Sequence, residues 1–299
     1  PPFAGGGIEA NGTMESKGKS DDTLYKISAT YTIDDDKMVY ALFSQGFKIG
    51  GVNSPRAAAT GEVGETYGAD YMDNYEIGIK SNWMDNRLQV NAQYFLMEWS
   101  DMQIAHWSGV GPWWVGGTVN AETAESSGLE LDIKYQITDK LNISGSATFA
   151  DAKFTKEYTS PGGSVYRDNM IMPNSPETKG YLGISYDQPD VAGGDLWVYY
   201  GISYQSESWN RTWSIINNDT NGISPSHDNA NFSMGLDDLP NGWSVSLYID
   251  NVFDQATYSF INTGANTYSD MFGTDSQRNV RSLAQPRTTW LTVRKRFGK

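Results

Sequence analysis

Along much of the chain every second side chain is apolar. From Asp73 to Trp83, Tyr75, Ile77 and Ile79 alternate with Asn74, Glu76, Gly78 and Lys80. Met84, Asp85, Asn86 and Arg87 interrupt the pattern. It resumes as Leu88, Val90, Ala92 and Tyr94 against Gln89, Asn91 and Gln93. A period of two sends alternate side chains to opposite faces of a β-strand, so both segments have one apolar and one polar face. The same paired unit recurs in Leu24–Ile33 with Met38–Gln45, in the stretch from Leu129 to Tyr135 with that from Leu141 to Phe149, in Glu177–Tyr186 with Leu196–Tyr204, and in Asn229–Asp237 with the run from Trp243 to Ile249. Thr288–Phe297 is a last strand. Short polar turns join the members of each pair, Gln188–Gly194 among them. Long connections follow each pair: Phe47–Asp70, a stretch with His106, Trp107, Trp113 and Trp114, then Lys156–Pro176, Glu207–His227 and Gln255–Gln285. Pro1–Asp22, rich in Gly, Ser and charge, reads as loop. The pattern predicts about eleven antiparallel strands with short turns at one end and long loops at the other, as in an outer-membrane β-barrel.

Two all-β architectures accommodate such strands. In a β-sandwich the apolar faces pack on each other and the polar faces meet water. In a large membrane barrel the apolar faces meet lipid and the polar faces line a wet lumen. Tyr25, Tyr31, Tyr75, Tyr94, Tyr135, Phe149 and Trp243 sit on the apolar faces toward strand ends, where rings suit the headgroup levels of a bilayer. The barrel is therefore expected, with Ile77, Val90, Leu131, Ile143, Phe232 and Val245 toward lipid and Glu76, Asn91, Asp132, Ser144 and Asn231 toward the lumen.

Composition narrows the chemistry. No run reaches the roughly 18 apolar residues of a membrane helix, which leaves strands as the only means of crossing. Aromatic residues make up 13%, which suits interfacial girdles. The net charge of −14 argues against nucleic acid as a partner. Without cysteine, disulfide scaffolds and thiol chemistry are excluded. Pro1, Pro2, Phe3, Ala4 and Gly5 have neither the basic region nor the apolar core of an export signal, so a processed or absent start is expected.

Candidate sites are few. His106 and His227 are distant in sequence, and no HExxH motif accompanies them, so no metal site and no cofactor are expected. Glu76, Lys80, Glu130, Asp132 and Lys134 share the polar face. They read as cross-strand charge pairs along a wet wall rather than as acid–base catalysts, so no enzyme is expected. Asp34, Asp35 and Asp36 read as a solvated turn rather than a cation site. Asn251 and Asp254 read as a strand terminus whose side chains bond nearby backbone. Trp107, Trp113, Trp114, Trp209, Arg211 and Trp213 fall in or beside the long loops. There rings with a cation suit first capture of an aromatic or anionic ligand, with Trp113, Trp114 and Arg211 as the leading candidates.

Five stretches resemble one family. Tyr40 to Lys48 with Gly50, Gly51, Val52 and Asn53 is similar to a strand running into a GFKxGGxN loop. Tyr75 to Lys80 is similar to YExGxK, and Ser127 to Asp132 to xGxExE. Asn251, Val252, Phe253 and Asp254, with Tyr258, resemble NLFDxxY. Pro286 to Phe297 resembles the closing strand, which in the family ends on its aromatic residue; here Gly298 and Lys299 follow. In this order the five motifs resemble the C-terminal half of the barrel of TonB-dependent outer-membrane receptors. The resemblance implies energy-coupled uptake of a scarce bulky ligand, such as a ferric siderophore, haem, cobalamin or an oligosaccharide, in the outer membrane of a Gram-negative bacterium. It implies contact with lipid and lipopolysaccharide, and with the TonB complex through an N-terminal region not seen in this chain. It also implies a plug domain and about eleven further strands. An open, curved sheet edged by the first and last strands is therefore expected. The alternative is a β-sandwich module that binds a carbohydrate or other polymer through its Trp-bearing loops.

Overall fold

The computed structural model describes residues 22–110, 113–120, 123–160, 165–210, 212–218, 220–263 and 279–297. One eleven-stranded antiparallel sheet dominates them. Its strands are β1 (Lys26–Asp34), β2 (Lys37–Lys48), β3 (Asp70–Trp83), β4 (Leu88–Ser100), β5 (Ala124–Gln136), β6 (Leu141–Phe154), β7 (Thr178–Val191), β8 (Gly194–Gln205), β9 (His227–Leu239), β10 (Trp243–Asp250) and β11 (Thr288–Lys295). Each strand pairs with its neighbours in sequence, so the sheet is a meander. β1 and β11 are its two edges, each paired on one side only. The sheet is open, as expected for part of a larger barrel.

Register carries the alternation across the whole sheet. Ile77 lies opposite Ala41 and Tyr94, and Leu131 opposite Ala92 and Ala147. Ile143 faces Tyr135 and Ile184, Phe232 faces Tyr200 and Ile249, and Val245 faces Leu236 and Val293. One continuous apolar face results, with Glu76, Asn91, Asp132, Ser144 and Asn231 on the other. Among the described residues no second layer packs on the apolar face. Ile27, Ile77 and Leu291 are 66%, 61% and 65% exposed. A sandwich would bury these side chains, so the polymer-binding sandwich is not the fold of this chain.

Several boundaries differ from the sequence reading. The β7–β8 turn is much tighter than Gln188–Gly194. β7 continues through Pro189 to Val191 after a bulge, and Ala192 and Gly193 turn the chain with φ of 52° and 81°. Asp190, at φ 61°, takes up the left-handed bend that the bulge needs. The long connections also hold structure. Gln103–Val110 pairs with Trp113–Asn120, and Tyr258–Thr263 with Asn279–Leu283. Shorter pairs join Gly51–Val52 to Thr66–Tyr67, Tyr158–Thr159 to Val165–Tyr166, and Ser208–Trp209 to Ile223–Ser224.

Candidate functional site

The polar face is a hydrogen-bonded wall. The Tyr40 hydroxyl on β2 lies between the Glu76 carboxylate on β3 and the Gln93 side-chain carbonyl on β4, 2.7 Å from the latter. Gln93 Nε2 donates to Glu130 Oε2 on β5 at 2.6 Å. The Lys80 ammonium sits 5.5 Å from the centre of the Tyr40 ring. The expected cross-strand charge pairs do not form among these residues. Register sets Glu130 opposite Gln93, and both Lys80 and Asp132 opposite Asn91, so neutral amides intervene. Neutral donors hold the carboxylates instead.

Aromatic rings plate the same wall. Gly78 lies under the Tyr40 ring and Gly235 under Trp197; a Cβ at either would come within 2.6 or 2.7 Å of the ring. Across β8, β10 and β11, Trp197 lies 6.0 Å from Tyr248, and Tyr248 stacks on Trp290 at 5.5 Å and 14°. Trp197 Nε1 donates to Asp237 at 2.9 Å. The polar face thus carries hydrogen-bonded carboxylates on β3 and β5 and stacked rings on β8, β10 and β11.

At the long-loop end the loops pack over this inner face. Trp99, Ala124 and Phe154 are register partners, six residues along from Gln93, Glu130 and Thr148, so they share the polar side of the sheet. Buried Met102, Ala124, Phe154, Tyr166 and Met170 form one cluster there. Trp99, Ile104, Tyr158, Met172, Ile215 and Ile216 pack on it. Burial pushes the Tyr166 hydroxyl above its ordinary pKa, and the nearby Tyr158 adds to the shift. A second cluster joins Ala57, Val63 and Val115.

Asn53, only 4% exposed, ties this lobe together. Its Nδ2 donates to the carbonyls of Gly64 (2.9 Å) and Thr118 (2.8 Å), and its Oδ1 accepts from Thr118 N–H at 2.7 Å. A Cβ at Gly50 would meet the Tyr67 carbonyl at 2.4 Å, and one at Gly117 would meet Val63 at 2.9 Å. Asn53 of the GFKxGGxN stretch therefore welds the 49–69 loop to the 103–120 hairpin, while Gly50 lets that loop close on its own Tyr67, roles the motif alone did not reveal. His106, 6% exposed, joins the same weld through Glu62 at 2.8 Å. His227 instead contacts the Pro225 carbonyl. The Asn251 reading holds: its side chain bonds Gln255 N and O (both 2.9 Å) and Gln285 O (3.2 Å), while Asp254 accepts from Arg287 N–H.

Of the candidate capture residues, Trp113 and Trp114 begin the second strand of the 103–120 hairpin, opposite Val110 and Gly109. Arg211 lies outside the described residues.

A single meander with an apolar outside, a hydrogen-bonded polar inside and folded long loops is the wall of a transmembrane β-barrel. Residues 5–252 match the family model described as TonB dependent receptor-like, beta-barrel, and the chain belongs to that family. It is 25% identical over 251 residues to the pesticin receptor of Yersinia pestis, which covers 83% of this chain and 34% of that protein. It is 23% identical over 244 residues to the ferric-pyoverdine M114 receptor PbuA of Pseudomonas sp. strain M114, covering 80% and 27%. Among solved structures, the ferric yersiniabactin uptake receptor FyuA of Yersinia pestis superposes with a TM-score of 0.69 at 19% identity, over 91% of this chain and 37% of that one. The siderophore receptor PiuA of Acinetobacter baumannii gives 0.63 at 19% identity, over 90% and 35%. The chain thus spans about a third of the length of the relatives it matches.

Proposed function

We propose that this chain is the C-terminal part of the barrel of an energy-coupled receptor. The receptor would sit in the outer membrane of a Gram-negative bacterium, take up a ferric siderophore or similar bulky ligand, and be driven through the TonB system. The observation that carries the reading is the pairing of a lipid-compatible outside with a polar inner wall whose long-loop end is capped by a folded lobe. The names of the relatives, receptors for ferric pyoverdine and ferric yersiniabactin among them, support the ligand class.

The two unpaired edges support closure by further strands. Each edge otherwise presents a row of backbone groups that lipid cannot satisfy. Trp113, Trp114 and Arg211 would contribute to first capture from the loop side. Uptake of radioactive iron by cells making the full-length gene product tests this, with a panel of ferric siderophores offered to strains with and without a working TonB system. Uptake that needs both the receptor and TonB is expected. Uptake that persists without TonB, or none from any ferric complex, contradicts it. Unchanged affinity after alanine replaces all three capture residues would remove them from the site.

A further inference from the structure

We propose that the rim of the apolar face at its short-turn end seats the phosphate of an anionic glycerophospholipid, at Lys37 with Trp83 and at Lys295 with Trp243 and Phe297. The inference rests on the reading of that face as lipid-facing. Lys37 lies opposite Ser81, in phase with Val39 and Ala41, and Lys295 lies opposite Trp243, in phase with Leu291 and Val293. Both lysines therefore project on the apolar side, next to a turn. The Lys37 ammonium is 4.5 Å from the centre of the Trp83 ring, and the Lys295 ammonium 4.6 Å from that of Trp243. The same pair is thus built twice, at opposite flanks of the sheet.

The arrangement suits a headgroup. A lysine stem runs along apolar surface while its ammonium reaches the polar boundary, and a tryptophan ring rests at the same level. A ring face attracts the cation without consuming its N–H donors in hydrogen bonds, so they can turn to phosphate oxygens. The two seats are unequal. Lys37 also pairs with Asp34 at 3.1 Å, which offsets part of its charge. Lys295 has no ion pair among the described residues; the Phe297 ring, 83% exposed, lies 5.7 Å from its ammonium. The nearby Asp238 is engaged by Arg296 at 3.6 Å.

The opposite rim of the same face carries the reverse charge. Asp73, Glu98 and Glu125 stand side by side in register on β3, β4 and β5, on the apolar side with Tyr75, Leu96 and Leu129. Those carboxylates give no cationic seat for a phosphate, so the seats lie at the short-turn rim alone among the described residues.

The test uses the intact receptor in nanodiscs of phosphatidylethanolamine and phosphatidylglycerol, with retained lipids counted by native mass spectrometry. Enrichment of phosphatidylglycerol is expected. Lys295→Gln should lower it about fivefold, the effect of one cation at an anionic surface. Lys37→Gln should lower it less, Lys295→Arg should keep it, and Lys80→Gln on the inner face should leave it unchanged. Equal lipid content in all variants, or displacement of the lipid by inorganic phosphate alone, overturns the proposal. Brominated acyl chains separate the two levels of the argument. If they do not quench the receptor's tryptophans, the apolar face is not in lipid. If they quench it without any preference for phosphatidylglycerol, only the headgroup seats fail.

Discussion

The sheet and the loop lobe handle apolar side chains in opposite ways. On the sheet, Ile27, Ile77, Leu291 and Val293 point outward and stay exposed. In the lobe, Met102, Phe154, Tyr166 and Met170 turn inward and are buried against one another. One chain thus folds for two solvents. Within the sheet, each inner strand is hydrogen-bonded to a neighbour on both sides, which permits an apolar exterior in lipid. In the lobe water is the solvent, so a small core forms and the buried Asn53 takes up loop carbonyls.

The contrast is broken most severely by putting a charge on the sheet's outside. Ile77→Arg, mid-strand on β3, should cost about 2–4 kcal/mol of folding free energy in bilayers, whereas Ser146→Arg on the inner face should cost far less. A urea titration of folding into lipid vesicles reads both, and equal costs would remove the assignment of faces. Next comes Gly128→Ala, whose new methyl would meet the Phe149 carbonyl at 2.2 Å and the Phe95 ring at 2.8 Å. Overpacking of this kind costs about 1–3 kcal/mol, and the same titration should show it as a lowered midpoint.

In the lobe, Asn53→Ala removes the partner of three backbone groups, the Gly64 carbonyl and both groups of Thr118, at roughly 1–3 kcal/mol in total given partial relaxation toward water. Its signature is regional. Proteolysis should accelerate in residues 49–69 and 103–120 while the sheet stays protected, and a uniform loss of protection would contradict a separate lobe. The smallest effect is Tyr166. Its raised pKa means that the folded lobe keeps the proton while the unfolded lobe releases it near the ordinary value of 10.0. The stability this burial confers is complete below that value and lost as pH climbs through the folded pKa. A difference absorbance titration of the wild type against Tyr166→Phe should show one tyrosinate forming above pH 10.0; a midpoint at or below it would mean the ring is not buried.

Alternation was legible because one side chain in two had to be apolar for lipid, a rule that leaves a mark in every strand from Tyr25 to Val293. The faces of Ile77 and Glu76 follow directly from it. The β7 extension was hidden because Pro189 and the Gly193–Gly194 pair read as a turn, whereas a bulge lets the ladder run on. The loop hairpins escaped because their apolar positions serve a small water-soluble core and carry no long alternation. The polar wall was legible in composition only. Which partner holds Glu130 depends on register, and the sequence around Glu130 does not say that Gln93 lies across from it. Asn53 stood out as a motif, but its partners lie 11 and 65 residues away.

If the sheet is a barrel wall, its apolar face meets lipid and its polar face does not. This chain has no cysteine, and in an intact receptor kept free of others single cysteines can be placed along β3 from residue 75 to residue 80 and spin-labelled in bilayers. Accessibility to oxygen, which concentrates in lipid, and to a water-soluble nickel chelate should alternate with a period of two. Oxygen should reach positions 75, 77 and 79 and be weaker at 76, 78 and 80, with the chelate excluded from the first set. Equal exposure of both sets to the chelate, or alternation in the opposite phase, would contradict the account.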